Sequence, residues 1–136
     1  MLIDKCKTIA CDIFNDLGSG FDEPTYQKSF EVALRIQGIQ YENQKIVPII
    51  YKGFNVGEGK IDLLLHSESE HLIIELKAIL TISPKEITQL KKYMELTKIN
   101  RGILINFPQV GTSKKGVIVQ EPEFVLIPED VNDRTD

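Results

Sequence analysis

The chain has 136 residues, 42% of them hydrophobic, 26% charged and 7% aromatic, which is the profile of one compact soluble domain able to bury a core without disulfides or structural metal. Its 16 basic and 20 acidic residues leave a formal charge of -4, excluding a protein that coats nucleic acid through bulk positive charge but not one with a local basic strip. The two cysteines, Cys6 and Cys11, share one helix-like stretch, which excludes a secreted disulfide scaffold. They point to a reducing compartment, and Asp4, Lys5 and Lys7 interrupt any signal-peptide core. With no segment long and apolar enough to span a bilayer, a soluble cytoplasmic protein is expected.

Ile3, Cys6, Ile9, Ala10, Ile13, Phe14 and Leu17 recur at three-and-four spacing, predicting a helix from Leu2 to Leu17 that Gly18 and Gly20 stop. A second helix starts at Asp22 to Pro24, where an acidic cap and a first-turn proline suit the free amides, and ends near Gly38. Tyr26, Phe30, Ala33 and Leu34 form its apolar face, so the two helices should pack as a pair. Tyr41 to Tyr51 reads as extended, and Pro48 favours an edge strand or a bulge. Gly53, Gly57 and Gly59 mark a turn before two strands, Lys60 to Leu65 and Leu72 to Lys77, joined by a polar loop from His66 to His71. The three strands make a meander. Ser83, Pro84 and Glu86 form a capping box that opens a helix running to about Lys98, buried through Ile87, Leu90 and Met94. Ile103, Leu104, Ile105 and Phe107 read as an interior strand, and the helix before it permits parallel pairing. Pro108 to Lys115 reads as an exposed loop, with short edge strands at Val117 to Val119 and Phe124 to Ile127 around Pro122. The expected organisation is one α/β (α+β) domain over residues 1–128 and a frayed tail over 129–136.

Some polar residues do not fit that sheet. Period-two alternation sends Ile61, Leu63 and Leu65 to one face, and Lys60, Asp62 and Leu64 to the other. In the next strand Ile73, Glu75 and Lys77 share a face, with Glu75 and Lys77 about 7 Å apart. If these strands pair as a hairpin, Asp62 approaches Glu75, and two carboxylates and an ammonium crowd together where burying charge is costly. Mg²⁺ would compensate, since it prefers carboxylate, carbonyl and water oxygens, and the Leu76 carbonyl could add a ligand. A metal there, with Lys77 orienting water or stabilising charge, suits phosphodiester hydrolysis. An ordinary ion pair on a half-exposed strand would also account for a lone Glu-x-Lys. His66 and His71 read as loop residues rather than a transition-metal site.

An Asp on one strand and a Glu-x-Lys on the next, followed by a helix and another strand, resembles the PD-(D/E)XK nuclease superfamily. Gly20, Glu23 and Tyr26 have the spacing that names the GxxExxY family, a set of small proteins assigned to it. Glu75 to Ala78 resemble its core motif, Gln89, Leu90 and Tyr93 its helical motif, and Leu104 to Phe107 its following strand, so the resemblance runs from about Cys6 to Val117. It implies a restriction-endonuclease-like core with a mixed sheet of about four or five strands flanked by helices. It further implies Asp62 and Glu75 as ligands of Mg²⁺ or Mn²⁺, Lys77 assisting the attacking water, Gln89 flanking the site, and Glu23 completing the metal sphere. Tyr93, Lys92 and Lys60 are weaker substrate-binding candidates. A capping charge at the positive end of a helix would equally explain Glu23.

The chain also departs from the pattern. Gly59 and Lys60 stand where relatives often carry an aromatic residue and an Arg, Glu86 where a His is common, and Val117 where a basic residue usually follows the late glycine. Positive charge gathers locally at Lys85, Lys91, Lys92, Lys98, Arg101, Lys114 and Lys115, which could grip phosphates or simply form a solvated face. The expected activity is metal-dependent hydrolysis of nucleic acid, DNA in the first place, and a homodimer is compatible with so small a site. The rival is a catalytically silent module of the same architecture that binds nucleic acid or a protein.

Overall fold

The computed structural model describes residues 1–109 and 121–129. Helix α1 (Leu2–Leu17) buries Ile3, Cys6, Ile9, Ala10, Ile13 and Phe14, the face its spacing predicts. Helix α2 (Glu23–Gln37) starts where the Asp22 side chain accepts from the Thr25 N–H, and ends at Gly38 in the left-handed conformation. Both helices cover one face of a five-stranded sheet, where Tyr26, Phe30 and Leu34 join Leu63, Leu65, Leu72, Ile74, Ile103 and Ile105 in the larger core.

The strands are β1 (Gln40–Tyr51), β2 (Phe54–His66), β3 (His71–Lys77), β4 (Gly102–Asn106) and β5 (Glu123–Ile127), in that spatial order. β1, β2 and β3 form the expected antiparallel meander, β4 lies parallel to β3, and β5 closes the sheet antiparallel to β4. The crossover between β3 and β4 is α3 (Pro84–Thr97), which the Ser83–Glu86 capping box opens and which covers the opposite sheet face. All five residues of β4 are buried, as a strand covered on both faces requires. Pro48 lies on the edge strand, and the register shifts just beyond it between Ile49 and Ile50.

Three expectations need correction. The glycines do not share one turn: Lys52 and Gly53, with φ of 50° and 84°, close the hairpin alone, so β2 begins at Phe54 rather than Lys60. A two-residue turn with both φ positive matches the twist of the strands it joins. Gly57 and Gly59 lie inside β2, and a Cβ on Gly59 would stand 2.4 Å from Tyr93 Cε1, so close packing rather than a turn requires that glycine. Second, Ile61 packs with Val47, Leu64, Ile73 and Tyr93, not with Leu63 and Leu65. The alternation breaks at Asp62, opposite Gln44, a non-glycine residue with φ of 48°. The β1–β2 pairing passes from Asn43↔Leu63 to Lys45↔Ile61, omitting the Gln44/Asp62 pair between them. Third, Pro108 is buried and Gln109 half-buried, so the loop after β4 does not begin exposed. The strand expected at Val117 to Val119, the rest of that loop with its two lysines, and the tail beyond residue 129 lie outside the described residues.

Candidate functional site

β2 and β3 part at the point where Asp62 and Glu75 stand. Their ladder runs from His66↔His71 to Leu63↔Ile74, and one residue further the carboxylates take over from the backbone. The Asp62 N–H donates to Glu75 Oε2 at 3.0 Å, and the Leu76 N–H donates to Asp62 Oδ2 at 2.8 Å. Each carboxylate thus satisfies the main chain of the other strand, which holds the two side chains together as the strands splay.

Glu75 is only 4% exposed. Burial first, and then the neighbouring Asp62 charge, push its carboxyl from 4.5 up to about 9, while Lys77 pulls the other way. A cation beside this pair would relieve what burial and repulsion impose. Two carboxylates, with the carbonyl of Leu76 next in sequence to Glu75, offer a hard, all-oxygen donor set that suits Mg²⁺ or Mn²⁺, which keep several waters and need few protein ligands. Among the described residues no cluster of three or more His, Cys, Asp or Glu side chains could hold a metal, so a third acidic ligand is not assembled.

Lys77 is half-buried and interacts with Glu75 on its own strand and with Glu86 at the start of α3. Hydrogen bonds from the Ser83 N–H and hydroxyl, at 2.7 and 2.8 Å, hold the Glu86 carboxyl below its usual range, and Lys77 and Lys85 add to this. Asn106, fully buried opposite Lys77, accepts from the Ile79 N–H at 2.9 Å and donates to the Ile79 carbonyl at 3.1 Å and to Glu123 Oε1 at 2.6 Å. Glu123 also accepts from Thr81 Oγ1 and the Ile82 N–H, so this network fixes the segment from β3 to α3 that frames Lys77.

The remaining candidates fall outside this cluster. Glu23 is exposed as the first residue of α2, and Gln89 is exposed on α3. Tyr93 is 9% exposed: its ring lies over Gly59 and its hydroxyl accepts from the Lys60 N–H at 3.3 Å, so it braces β2 from below. The Lys60 side chain points to solvent, and exposed Lys92 pairs with Glu95 at 3.4 Å. Tyr26 stacks on Phe107 with centroids 4.3 Å apart, and its hydroxyl donates to the Gly18 carbonyl at 2.7 Å, tying the α1–α2 turn to the end of β4. His66 and His71 contact each other through their Nδ1 atoms at 2.8 Å, and His66 Nε2 meets Glu42 at 2.7 Å.

Sequence reasoning missed Gln27, Glu31, Asn43 and Gln44. Gln27 donates to the Asp62 carbonyl at 3.3 Å and to Glu31 Oε2 at 3.2 Å, and Gln44 donates to Gln27 Oε1 at 2.8 Å. Asn43 donates to the other oxygen of buried Glu31 at 3.0 Å. This layer clamps the Asp62 kink between α2 and β1. Its one sequence signal is the four-residue spacing of Glu23, Gln27 and Glu31 along a helical face.

A mixed sheet flanked by helices, with an Asp and a Glu-x-Lys meeting where two strands splay, defines a restriction-endonuclease-like fold. The chain belongs to the PD-(D/E)XK nuclease superfamily, whose model matches residues 1–119. Proteins of that superfamily generally use divalent metal ions. The solved structure described as "Crystal structure of SSO0001" is similar at a TM-score of 0.51 and 16% identity, over 79% of this chain and 52% of its own, and speaks for the fold alone. No curated protein sequence matches significantly. No helix among the described residues is long and apolar enough to cross a membrane.

Proposed function

We propose that this chain hydrolyses phosphodiester bonds of nucleic acid, DNA in the first place, with Mg²⁺ or Mn²⁺. The reading rests on one observation: the Asp62 and Glu75 carboxylates each accept a hydrogen bond from the main chain of the other's strand, which holds them side by side next to the half-buried Lys77. Asp62, Glu75 and the Leu76 carbonyl would hold the ion, which supplies charge stabilisation at the phosphate and acidifies water. Lys77 would orient the attacking water and stabilise charge developing on the phosphate, with Glu86 setting its position. Glu23 and Gln89 act, on this reading, from the rims of α2 and α3, coming within reach when substrate is bound. Lys60 and Lys92 meet the phosphate backbone, whereas Tyr93 supports β2 from within the core. The Gly20, Glu23 and Tyr26 spacing supports a reading of the chain as one of the GxxExxY group. Free Cys6 and Cys11 are in keeping with a cytoplasmic location.

The test is to incubate wild type and Glu75→Ala with single-stranded, duplex and branched DNA and with RNA, with and without each metal. Metal-dependent cleavage by wild type, lost in the variant, supports the proposal. Equal binding by both and cleavage by neither assigns the silent module instead.

A further inference from the structure

The hairpin of β1 and β2 continues well past the sheet. Beyond the last β2–β3 pair, Leu63↔Ile74, β2 runs outward from Asp62 to Phe54, an arm about 25 Å long at the usual rise per residue. Ile46, Ile49, Ile50, Tyr51, Phe54 and Val56 are all exposed on it, Tyr51 at 60% and Phe54 at 73%. Tyr51 and Phe54 are directly opposed across the turn and so project from the same face of the tip. Lys52 sits between them in sequence, its Nζ 5.3 Å from the Tyr51 ring centroid.

The outer part of the arm carries Lys52 and Lys60 against Glu58, while Lys45 nearer the sheet is paired with Glu42 at 3.1 Å, so the tip is locally positive on a chain of net charge -4. Two exposed aromatic faces with lysines and local positive charge match a stacking platform for unpaired bases, whereas lysine is depleted from protein–protein interfaces. Pro48, in the middle of the edge strand, removes a donor that edge-to-edge pairing with a second copy would use. The arm is also continuous with the strand that presents Asp62, so a nucleic acid on the tip is led toward the carboxylate pair.

We infer that the β1–β2 arm binds single-stranded nucleic acid, with unpaired bases stacked on Tyr51 and Phe54 and phosphates met by Lys52 and Lys60. This rests on the proposed action on nucleic acid and deepens it by naming a single-stranded or frayed segment as the preferred substrate.

The chain has no tryptophan, so Phe54→Trp places a single reporter at the tip. In EDTA, single-stranded DNA should quench that fluorescence, while inorganic polyphosphate, which offers charge without bases, should not. Tyr51→Ala with Phe54→Ala should weaken binding of a dye-labelled single strand at least about tenfold, the loss expected when stacking on two rings is removed, with the melting temperature unchanged. Quenching by both polyanions or by neither, or an unchanged affinity in the double variant, overturns the inference. So does conversion of an oligomer to a monomer at unchanged affinity, which would give the patch to a second copy. Quenching by single strands without cleavage under any condition sustains the arm and removes the nuclease reading. Cleavage at an unchanged KM in the double variant does the reverse.

Discussion

Replacing Glu75 by Gln should make the metal-free protein more stable at alkaline pH while abolishing its response to metal. The neutral amide imitates the protonated acid: its oxygen can accept from the Asp62 N–H, as Glu75 Oε2 does at 3.0 Å, and its N–H₂ can donate to the Asp62 carboxylate. In wild type the Glu75 carboxyl is raised from 4.5 to about 9 by burial and then by Asp62. The folded chain therefore holds a proton that the unfolded chain has lost throughout that window. Stability from that proton is fully present below pH 4.5 and is lost as pH rises through 9. The linkage slope for one proton is a little over 1 kcal/mol per pH unit, or about 3 kcal/mol between pH 6 and pH 8. That is a large share of the roughly 5–15 kcal/mol typical of a folded domain. The assay is urea unfolding in EDTA at several pH values, taken as the difference between wild type and Glu75→Gln, so that contributions common to both cancel. The difference should widen in favour of the variant as pH rises, and Mn²⁺ should raise the melting temperature of wild type alone. Parallel stability curves from pH 5.5 to pH 8.5 would refute a raised Glu75 carboxyl.

Gly59→Ala should destabilise the fold by about 1–3 kcal/mol, because its Cβ would meet the Tyr93 ring at 2.4 Å, and a smaller side chain at position 93 should recover part of that loss in a double-mutant cycle by urea unfolding. Asn106→Leu leaves the Ile79 N–H without a partner and takes one hydrogen bond each from the Ile79 carbonyl, which keeps the Gln109 N–H, and from the Glu123 carboxylate, which keeps Thr81 and Ile82, and should cost about 1–3 kcal/mol by thermal unfolding. Burial would raise the Glu123 carboxyl, but hydrogen bonds from Asn106, Thr81 and Ile82 outweigh it and lower the value, so Glu123 contributes stability above pH 4.5 that is lost on acidification. In wild type that loss should be measurable as a falling melting temperature on acidification, and it should shrink in Asn106→Leu. Cys6 is fully buried and its thiol is pushed up to about 12, chiefly by burial, whereas Cys11 is exposed, so a thiol reagent should modify one cysteine per native chain and two after denaturation.

The helices were legible because their signals are local. The Asp22 cap, the left-handed Gly38 and the Ser83–Glu86 box each act within a few residues, and the structure places all three where the sequence does. The approach of Asp62 to Glu75 was legible for a different reason: short strands joined by a short loop leave few registers, and charge in the middle of an apolar strand marks the position that matters. What stayed hidden is set by contacts distant in sequence. Gly59 looks like a turn residue until Tyr93, more than thirty positions later, is seen to occupy the space of its Cβ. The sign of Gln44 φ has no local signature in a non-glycine residue, yet that kink lets Ile61 turn to the α3 face while Asp62 remains beside Glu75. Gln27 and Glu31 read as an ordinary polar stripe because their partners, the Asp62 carbonyl and Asn43, come from β2 and β1.

The splay that sets Asp62 against Glu75 and the length of the arm have one origin. Among the described residues, once β2 leaves β3 at Leu63 its outer half has only β1 as a strand partner, with Val47, Gly59 and Ile61 facing the cover that α3 supplies. Ile46, Ile49, Ile50, Tyr51, Phe54 and Val56 are left exposed, at a free-energy cost that burial elsewhere in the fold must offset. A strand serving only to present Asp62 could begin at Lys60, with Gly53, Gly57 and Gly59 in the turn before it, as the sequence alone suggests. Continuation for several more residues, to a tight turn flanked by two exposed rings, therefore argues that the arm has work of its own beside the carboxylates.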